Sequence, residues 1–506
     1  MNSEQKNINV NSQPIANIFN NPSQNPDEVG EPPTAGRTEP ASIDDIKFDT
    51  KPMDLIKYLQ QYIIGQDNAI EVLATKICTH FHRMQLERQN PHMGRIVGNV
   101  KSNILLIGPT GVGKTYLVRL IAQKLNVPFV KGDATKFSET GYVGGDVEDL
   151  VRELVYQVNG NIKLAEHGII YIDEIDKIAS SAGGSGPDVS RSGVQRNLLK
   201  LMEETEVDLK VPHDLASQME AVMETQRTGK ASRKKINTHN ILFVMSGAFT
   251  DLPPIIARRM QKGGMGFTGD DMTGASKVDF LLNRLHSQDM IEYGFESEFI
   301  GRLPVVSFLN ELDEDGLFGI LKNPYSSVIA GKVRDFEAYG ITLTFDDEAL
   351  RLIAREAHHY KIGARGLVRV MERLLMPFER TLPSVGVTHL NVTAEIYHDS
   401  EQVLKTLIPQ HALEQFSADF TARTGIKIDF SPSVREKIAT LTGSMNGDIV
   451  GYLTNALKDY EYGLKLAGKE SFTVTTAVLS NPADYLSKLI KANYSGEKLE
   501  EGNPEE

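Results

Sequence analysis

The sequence predicts an α/β fold class: a large phosphate-loop domain on a parallel sheet, then a smaller, mainly helical α+β lid domain, then a degenerate second copy of that lid. Three observations carry the prediction. The stretch KSNILLIGPTGVGKT at 101–115 runs an apolar strand into a glycine-bracketed turn and then into a helix start. The run GIIYIDE at 168–174 is apolar on both faces and ends in two acids, as strands of parallel sheets do. Near the C-terminus, FEAYGITLTFDDEALRLIAREA from Phe336 parallels FTARTGIKIDFSPSVREKIATLT from Phe420, and HLNVTAEIYHDSEQVLKTLI from His389 parallels SFTVTTAVLSNPADYLSKLI from Ser471 without a gap.

At 506 residues the chain is long enough for several cores, and its net charge of −13 disfavours non-specific nucleic-acid binding. Its single cysteine, Cys78, excludes an internal disulfide and any zinc site made of cysteine pairs, reads as a core residue, and fits a reducing, cytoplasmic setting. No apolar run reaches the ~20 residues of a membrane span, and the N-terminus lacks the basic start and apolar core of a secretory signal. Residues 1–43 and 493–506 are too polar to offset ordering entropy and read as disordered tails. Between them the expected boundaries are a large domain at 44–312, a lid at 313–408 and the degenerate repeat at 409–492.

Taken in order, helical periodicity from Pro52 breaks at Gly65, where Tyr62, Ile63 and Ile64 form an apolar bend. That bend suits one side of a purine, or is a plain helix-to-helix turn. His80 and His82, two apart on a helix, point away from each other and read as surface or edge residues rather than as a metal pair. A strand at 103–107 then meets Gly108-Pro109-Thr110-Gly111-Val112-Gly113, whose backbone curls to aim N–H groups inward at an anion. Lys114 reaches the β- and γ-phosphates of a nucleotide, the Thr115 hydroxyl ligates Mg²⁺, and Tyr116 opens the helix that follows.

VPFVKGDAT reads as a second strand, and Tyr142 with Val143 then sits on a glycine loop, either touching something outside the domain or packed in a turn. At the end of GIIYIDE, Asp173 holds Mg²⁺ through water or directly and Glu174 polarises the attacking water. Residues 183–192 form a flexible loop and 204–238 an irregular charged insertion. The strand in NILFVMSGAF ends at Ser246, which either senses the γ-phosphate or caps a turn. Met265, Gly266 and Phe267 lie on a glycine-rich loop with two hydrophobes free to dock. Arg302, between Gly301 and Leu303-Pro304, is either a finger offered to a neighbour's phosphate or an ordinary surface ion pair. Arg365 follows Gly363 at a helix start in the lid, within reach of a nucleotide. In the second copy its place falls to Ile449, after Gly447 and Asp448, so the arginine is lost.

YIIGQDNA, GPTGVGKT, GDATKFSETGYVGGDVEDLV, GIIYIDEIDKI, DVSRSGVQRNLLKLMEET, ILFVMSGAF, FIGRLPVV and GARGL occur in that order, and over roughly residues 50–400 the chain resembles ClpX-type AAA+ protein unfoldases. The resemblance implies a homohexamer with ATP and Mg²⁺ bound between subunits, Lys114, Glu174, Arg302 and Arg365 in the chemistry, with Arg302 acting in trans and Arg365 in cis. It implies that Tyr142, with Val143, grips protein substrates in a central pore, and that Met265-Gly266-Phe267 docks a ClpP-like peptidase. Departures from the family pattern are the missing four-cysteine zinc domain, Gly145 in place of an acid, Met265 in place of isoleucine, Arg233-Lys234-Lys235 in place of Arg-Lys-His, and the extra lid copy. The competing readings are an AAA+ nucleic-acid remodeller using Arg233–Lys235 and Arg258-Arg259, a stand-alone chaperone without a peptidase, and a non-hydrolysing scaffold.

Overall fold

The computed structural model describes residues 48–90, 101–138, 145–180, 189–209, 234–262, 275–441 and 448–495. The chain divides into two compact units. Among the described residues, one takes everything up to Ser327 together with Ala354–Val368, and the other takes Val328–Ile353 and everything from Arg369 onward. Residues 313–327 and 354–368 of the expected lid thus fall in the first unit, and the rest of it falls in the second with the later lid-like copy.

The first unit opens with helices α1 (Pro52–Gln60) and α2 (Asp67–Gln89). Between them Gln66 clamps the backbone of Asn310 with both amide atoms, at 2.9 Å each, and so fixes the Gly65 bend. Strand β1 (Ile104–Ile107), helix α3 (Lys114–Leu125), β2 (Phe129–Asp133), α4 (Asp149–Gln157), α5 (Ile162–Ala165) and β3 (Ile169–Asp173) follow. Next come α6 (Val189–Met202), β4 (Glu206–Asp208), β5 (Lys235–Asn237), β6 (Leu242–Gly247), α7 (Leu252–Lys262), α8 (Ala275–Leu282), α9 (Ser287–Tyr293), α10 (Ser297–Gly301), β7 (Val305–Phe308) and α11 (Glu314–Lys322). Five strands form one parallel sheet in the order β2-β3-β6-β1-β7. The central strands β1 and β6 are buried along their whole length, which is why they read as unbroken apolar runs.

Two expectations need correction. The insertion at 204–238 is not irregular at its ends, because β4 and β5 close it as an antiparallel ladder, Val207 opposite Ile236. Nor is His80 a surface residue: it is 7% exposed, with Nε2 3.0 Å from Asn240 O. It lies beside Phe81 on a helix buried over a broad face, and its one hydrogen bond makes that burial tolerable. Burial pushes its pKa down to about 4. His82, by contrast, is only partly buried and meets Thr50 O at 3.0 Å.

Further along the chain, α12 (Ser327–Glu337), β8 (Thr342–Phe345), α13 (Asp347–His359), α14 (Ala364–Thr381), β9 (His389–Val392), α15 (Ala394–His398) and α16 (Ser400–Thr424) precede β10 (Lys427–Phe430), α17 (Pro432–Leu441), α18 (Ile449–Ala456), α19 (Tyr460–Leu466), β11 (Ser471–Val474), α20 (Thr476–Ser480) and α21 (Pro482–Ser495), with the end of α13 and the start of α14 belonging to the first unit. The last helix thus runs to Ser495, past the limit of 492 read from sequence. β8 pairs parallel with β9, and β10 with β11, over four residues each. Matched positions after each second strand share backbone angles: Thr393 (φ −104°, ψ 171°) and Thr475 (φ −103°, ψ 170°), then Asp399 (φ −147°, ψ 80°) and Asn481 (φ −146°, ψ 76°). Phe416, Phe420, Ile428, Val434, Ile449, Leu453 and Val474 belong to the core of the later copy. Among the described residues no helix is long and apolar enough to cross a membrane.

Candidate active site

The carboxyl end of β1 delivers the glycine loop. Gly108 N–H donates to Gly247 O at 3.2 Å, Val112 is buried, and Pro109 and Thr110 are exposed. Gly111 has φ +81°, and a Cβ there would lie 2.0 Å from Ile362 O. Gly363, at φ +58°, would in turn place a Cβ 2.6 Å from Gly111 O. Both positions therefore admit glycine alone, and Ala364 N–H closes the contact by donating to Gly111 O at 2.9 Å. This backbone clasp brings Arg365, exposed at the start of α14, to the loop.

Gly113 precedes α3, whose first residues are Lys114, Thr115 and Tyr116. Lys114 Nζ donates to Gly108 O (2.6 Å) and Pro109 O (2.8 Å), folding back across the loop. Burial lowers its pKa from the usual lysine value and the charge of Arg365 adds to the effect, while Asp173, Asp176 and Glu174 oppose it. Thr115 Oγ1 donates to Asp173 Oδ2 at 3.3 Å and to the Tyr171 hydroxyl at 3.1 Å. Burial pushes Asp173 up, but hydrogen bonds from Ser246 and Lys131, together with the lysine charge, hold its carboxyl below the usual range.

Ser246 is fully buried and donates to Asp173 Oδ1 at 2.7 Å. Its hydroxyl, 2.6 Å from that of Tyr171, is thus spent on orienting the acid. Glu174 is exposed and stands in the left-handed region at φ 57°, ψ 33°, a conformation costly for a residue with a Cβ. Its N–H donates to Asp173 Oδ1 at 3.2 Å. An acid paired with a threonine hydroxyl, a lysine on the loop and a second acid turned outward fit a nucleotide with its metal.

Residues 99–306 match the family model of the AAA domain (Cdc48 subfamily), and 320–378 that of the C-terminal, D2-small domain of ClpB protein. The ATP-dependent Clp protease ATP-binding subunit ClpX of Bacteroides thetaiotaomicron is 39% identical over 352 residues, covering 68% of this chain and 80% of that protein. The protein of the same name from two strains of Bacteroides fragilis is 38% identical over the same length and the same shares. The chain belongs to the ClpX family. This ClpX-family chain is an AAA+ ATPase and binds nucleotide.

Other residues singled out in the sequence sit as follows. Tyr62 and Ile63 are buried, Tyr62 between Tyr58 (4.9 Å) and Tyr325 (5.1 Å), whereas Ile64 stays partly open beside Gly319. Tyr116 adjoins Tyr62, and burial lifts its phenol to about 12. Arg302 caps α10, pairs with Glu203 at 2.7 Å and is not joined to Lys114 within the chain. The buried Asn103 amide donates to Arg302 O at 3.0 Å and so fixes where the arginine leaves the backbone. Tyr142, Val143, Arg233, Met265, Gly266 and Phe267 lie outside the described residues.

Sequence reasoning missed Tyr171 and Lys131. Tyr171 counted as one more apolar residue of its strand, although its hydroxyl joins Thr115, Ser246 and Asp173. Lys131 ion-pairs with Asp173 at 3.1 Å, and the signal that would have found it is a lysine in the middle of the strand VPFVKGDAT.

Proposed function

We propose that this ClpX-family ATPase is a protein unfoldase and translocase that assembles as a homohexamer, holds ATP and Mg²⁺ at subunit seams, and passes unfolded chains to a ClpP-like peptidase. The convergence of Lys114, Thr115, Asp173 and Glu174 beside the Gly111–Ala364 clasp carries this reading. Bound Mg·ATP supplies the phosphoanhydride whose cleavage drives the work. Thr115 and Asp173 would hold the metal, Lys114 would leave the loop carbonyls for phosphate oxygens, and Glu174 would orient water and accept its proton. Ser246, by fixing Asp173, serves the γ-phosphate side of the site. Ile64, with Tyr62 and Ile63 behind it, would flank the purine. Arg365 would answer the nucleotide in cis and Arg302, released from Glu203, in trans. Tyr142 and Val143 would grip substrate, and Met265-Gly266-Phe267 would dock the peptidase. A machine run on ATP belongs in the cytoplasm, and the solitary buried Cys78 agrees with a reducing compartment.

A nucleic-acid role is disfavoured by charge pairing: Arg258 meets Glu292 at 2.6 Å, Arg259 meets Asp289 at 2.6 Å, and Lys235 meets Glu206 at 2.9 Å. The test is ATP-dependent unfolding of a stable, tagged fluorescent protein. Wild type should extinguish its fluorescence, whereas Tyr142→Ala should hydrolyse ATP and leave the fluorescence intact. Unfolding that survives Tyr142→Ala would remove the pore-loop assignment.

A further inference from the structure

The two oxygens of Asp173 are used differently. Oδ1 is taken by fixed donors: Ser246 Oγ at 2.7 Å, Glu174 N–H at 3.2 Å and the Tyr171 hydroxyl at 3.4 Å. Oδ2 faces Thr115, at 3.3 Å, and it is this oxygen that Lys131 Nζ meets at 3.1 Å. Sheet register explains the approach, since Lys131 pairs with Tyr171 across β2 and β3 and so shares a sheet face with Tyr171 and Asp173. The lysine side chain is 39% exposed and that of Asp173 18%, so the pair lies at the rim, where a long flexible stem can withdraw into water.

We propose that Lys131 is a resident competitor for the metal: it pairs with the Thr115-facing oxygen of Asp173 that the metal would use, and thereby sets the Mg²⁺ concentration that nucleotide loading requires. The proposal rests on the reading above that Thr115 and Asp173 hold Mg²⁺. With Oδ1 held by three donors, Oδ2 is the oxygen left to meet a cation, so the lysine and the metal compete for it. Arriving Mg²⁺ must displace the ammonium, and whatever free energy holds the ion pair is subtracted from metal binding.

Binding of a fluorescent ATP analogue to the full chain, titrated with Mg²⁺ at fixed nucleotide, tests this without any turnover. Lys131→Met should lower the Mg²⁺ concentration at half-saturation by about two- to fivefold, the size that one partly exposed ion pair supports. Lys131→Arg, which keeps the charge, should stay near wild type. Asp173→Asn should abolish the metal dependence. An unchanged or raised midpoint in Lys131→Met, with Asp173→Asn behaving as expected, would overturn the role of Lys131 alone. A wild-type midpoint in Asp173→Asn would instead overturn the metal assignment of Asp173, and the competitor with it.

Discussion

Glu174 carries an unfavourable backbone conformation that Asp173, one residue earlier, does not share. Left-handed angles cost a residue with a Cβ about 1–2 kcal/mol, and here they turn one acid outward while its neighbour stays fixed on Ser246 and Thr115. Glu174→Gln keeps that shape and removes the base. Nucleotide affinity should therefore hold while steady-state hydrolysis falls by about 10²–10⁴-fold, and retained turnover would take Glu174 out of the chemistry. His80 has a different pH signature. Its pKa falls from 6.5 to about 4 on folding, first through burial, so the unfolded chain binds the extra proton between those values. The His80 contribution to stability should be complete above pH 6.5, decline as the pH falls toward 4, and amount to a loss of about 3 kcal/mol below that. His80→Gln, which keeps a donor for Asn240 O, should flatten that decline in denaturant melts between pH 7 and 4.5. Lys114, Thr115 and Asp173 were legible in the sequence because their chemistry follows from residue type at a strand end. Lys131, Tyr171 and the inward turn of Ser246 were not, because each depends on register across neighbouring strands.

At the level of elements, the glycine loop and the start of α14 meet through a main-chain hydrogen bond, Ala364 N–H to Gly111 O. Gly363→Ala should therefore weaken nucleotide binding although residue 363 contributes no side chain, since its methyl would lie 2.6 Å from Gly111 O and its φ of +58° is strained for alanine. Equilibrium binding together with thermal melting checks this, and unaltered affinity would show that the clasp does not shape the loop. The strands were the easiest elements to read, because burial on both faces leaves an uninterrupted apolar word in the sequence. The β4–β5 ladder escaped notice because three residues a side give too short an alternation, and its partners lie far apart in the chain. In the second unit, the matched angles at Thr393 and Thr475 follow from matched sequence: each precedes a five-residue helix and then a capping Asp399 or Asn481.

For the molecule as a whole, the decisive question is where Arg302 acts. Within one chain it pairs with Glu203, and sequence could not choose between that ion pair and a finger because both need the same exposed arginine. Mixing supplies the answer. Arg302→Ala and Glu174→Gln chains should each be inactive alone, yet an equal mixture should recover hydrolysis at about a quarter of the seams, those where an intact Glu174 faces an intact Arg302. Steady-state ATPase of the mixture reads this directly, and no recovery would mean the arginine serves its own chain. Ile449 stands where the earlier lid copy has Arg365, and it is 1% exposed in the later copy's core. An arginine placed at this position would carry a guanidinium into hydrocarbon. The later copy would have to dismantle its own interior before it could extend an arginine from here to anything.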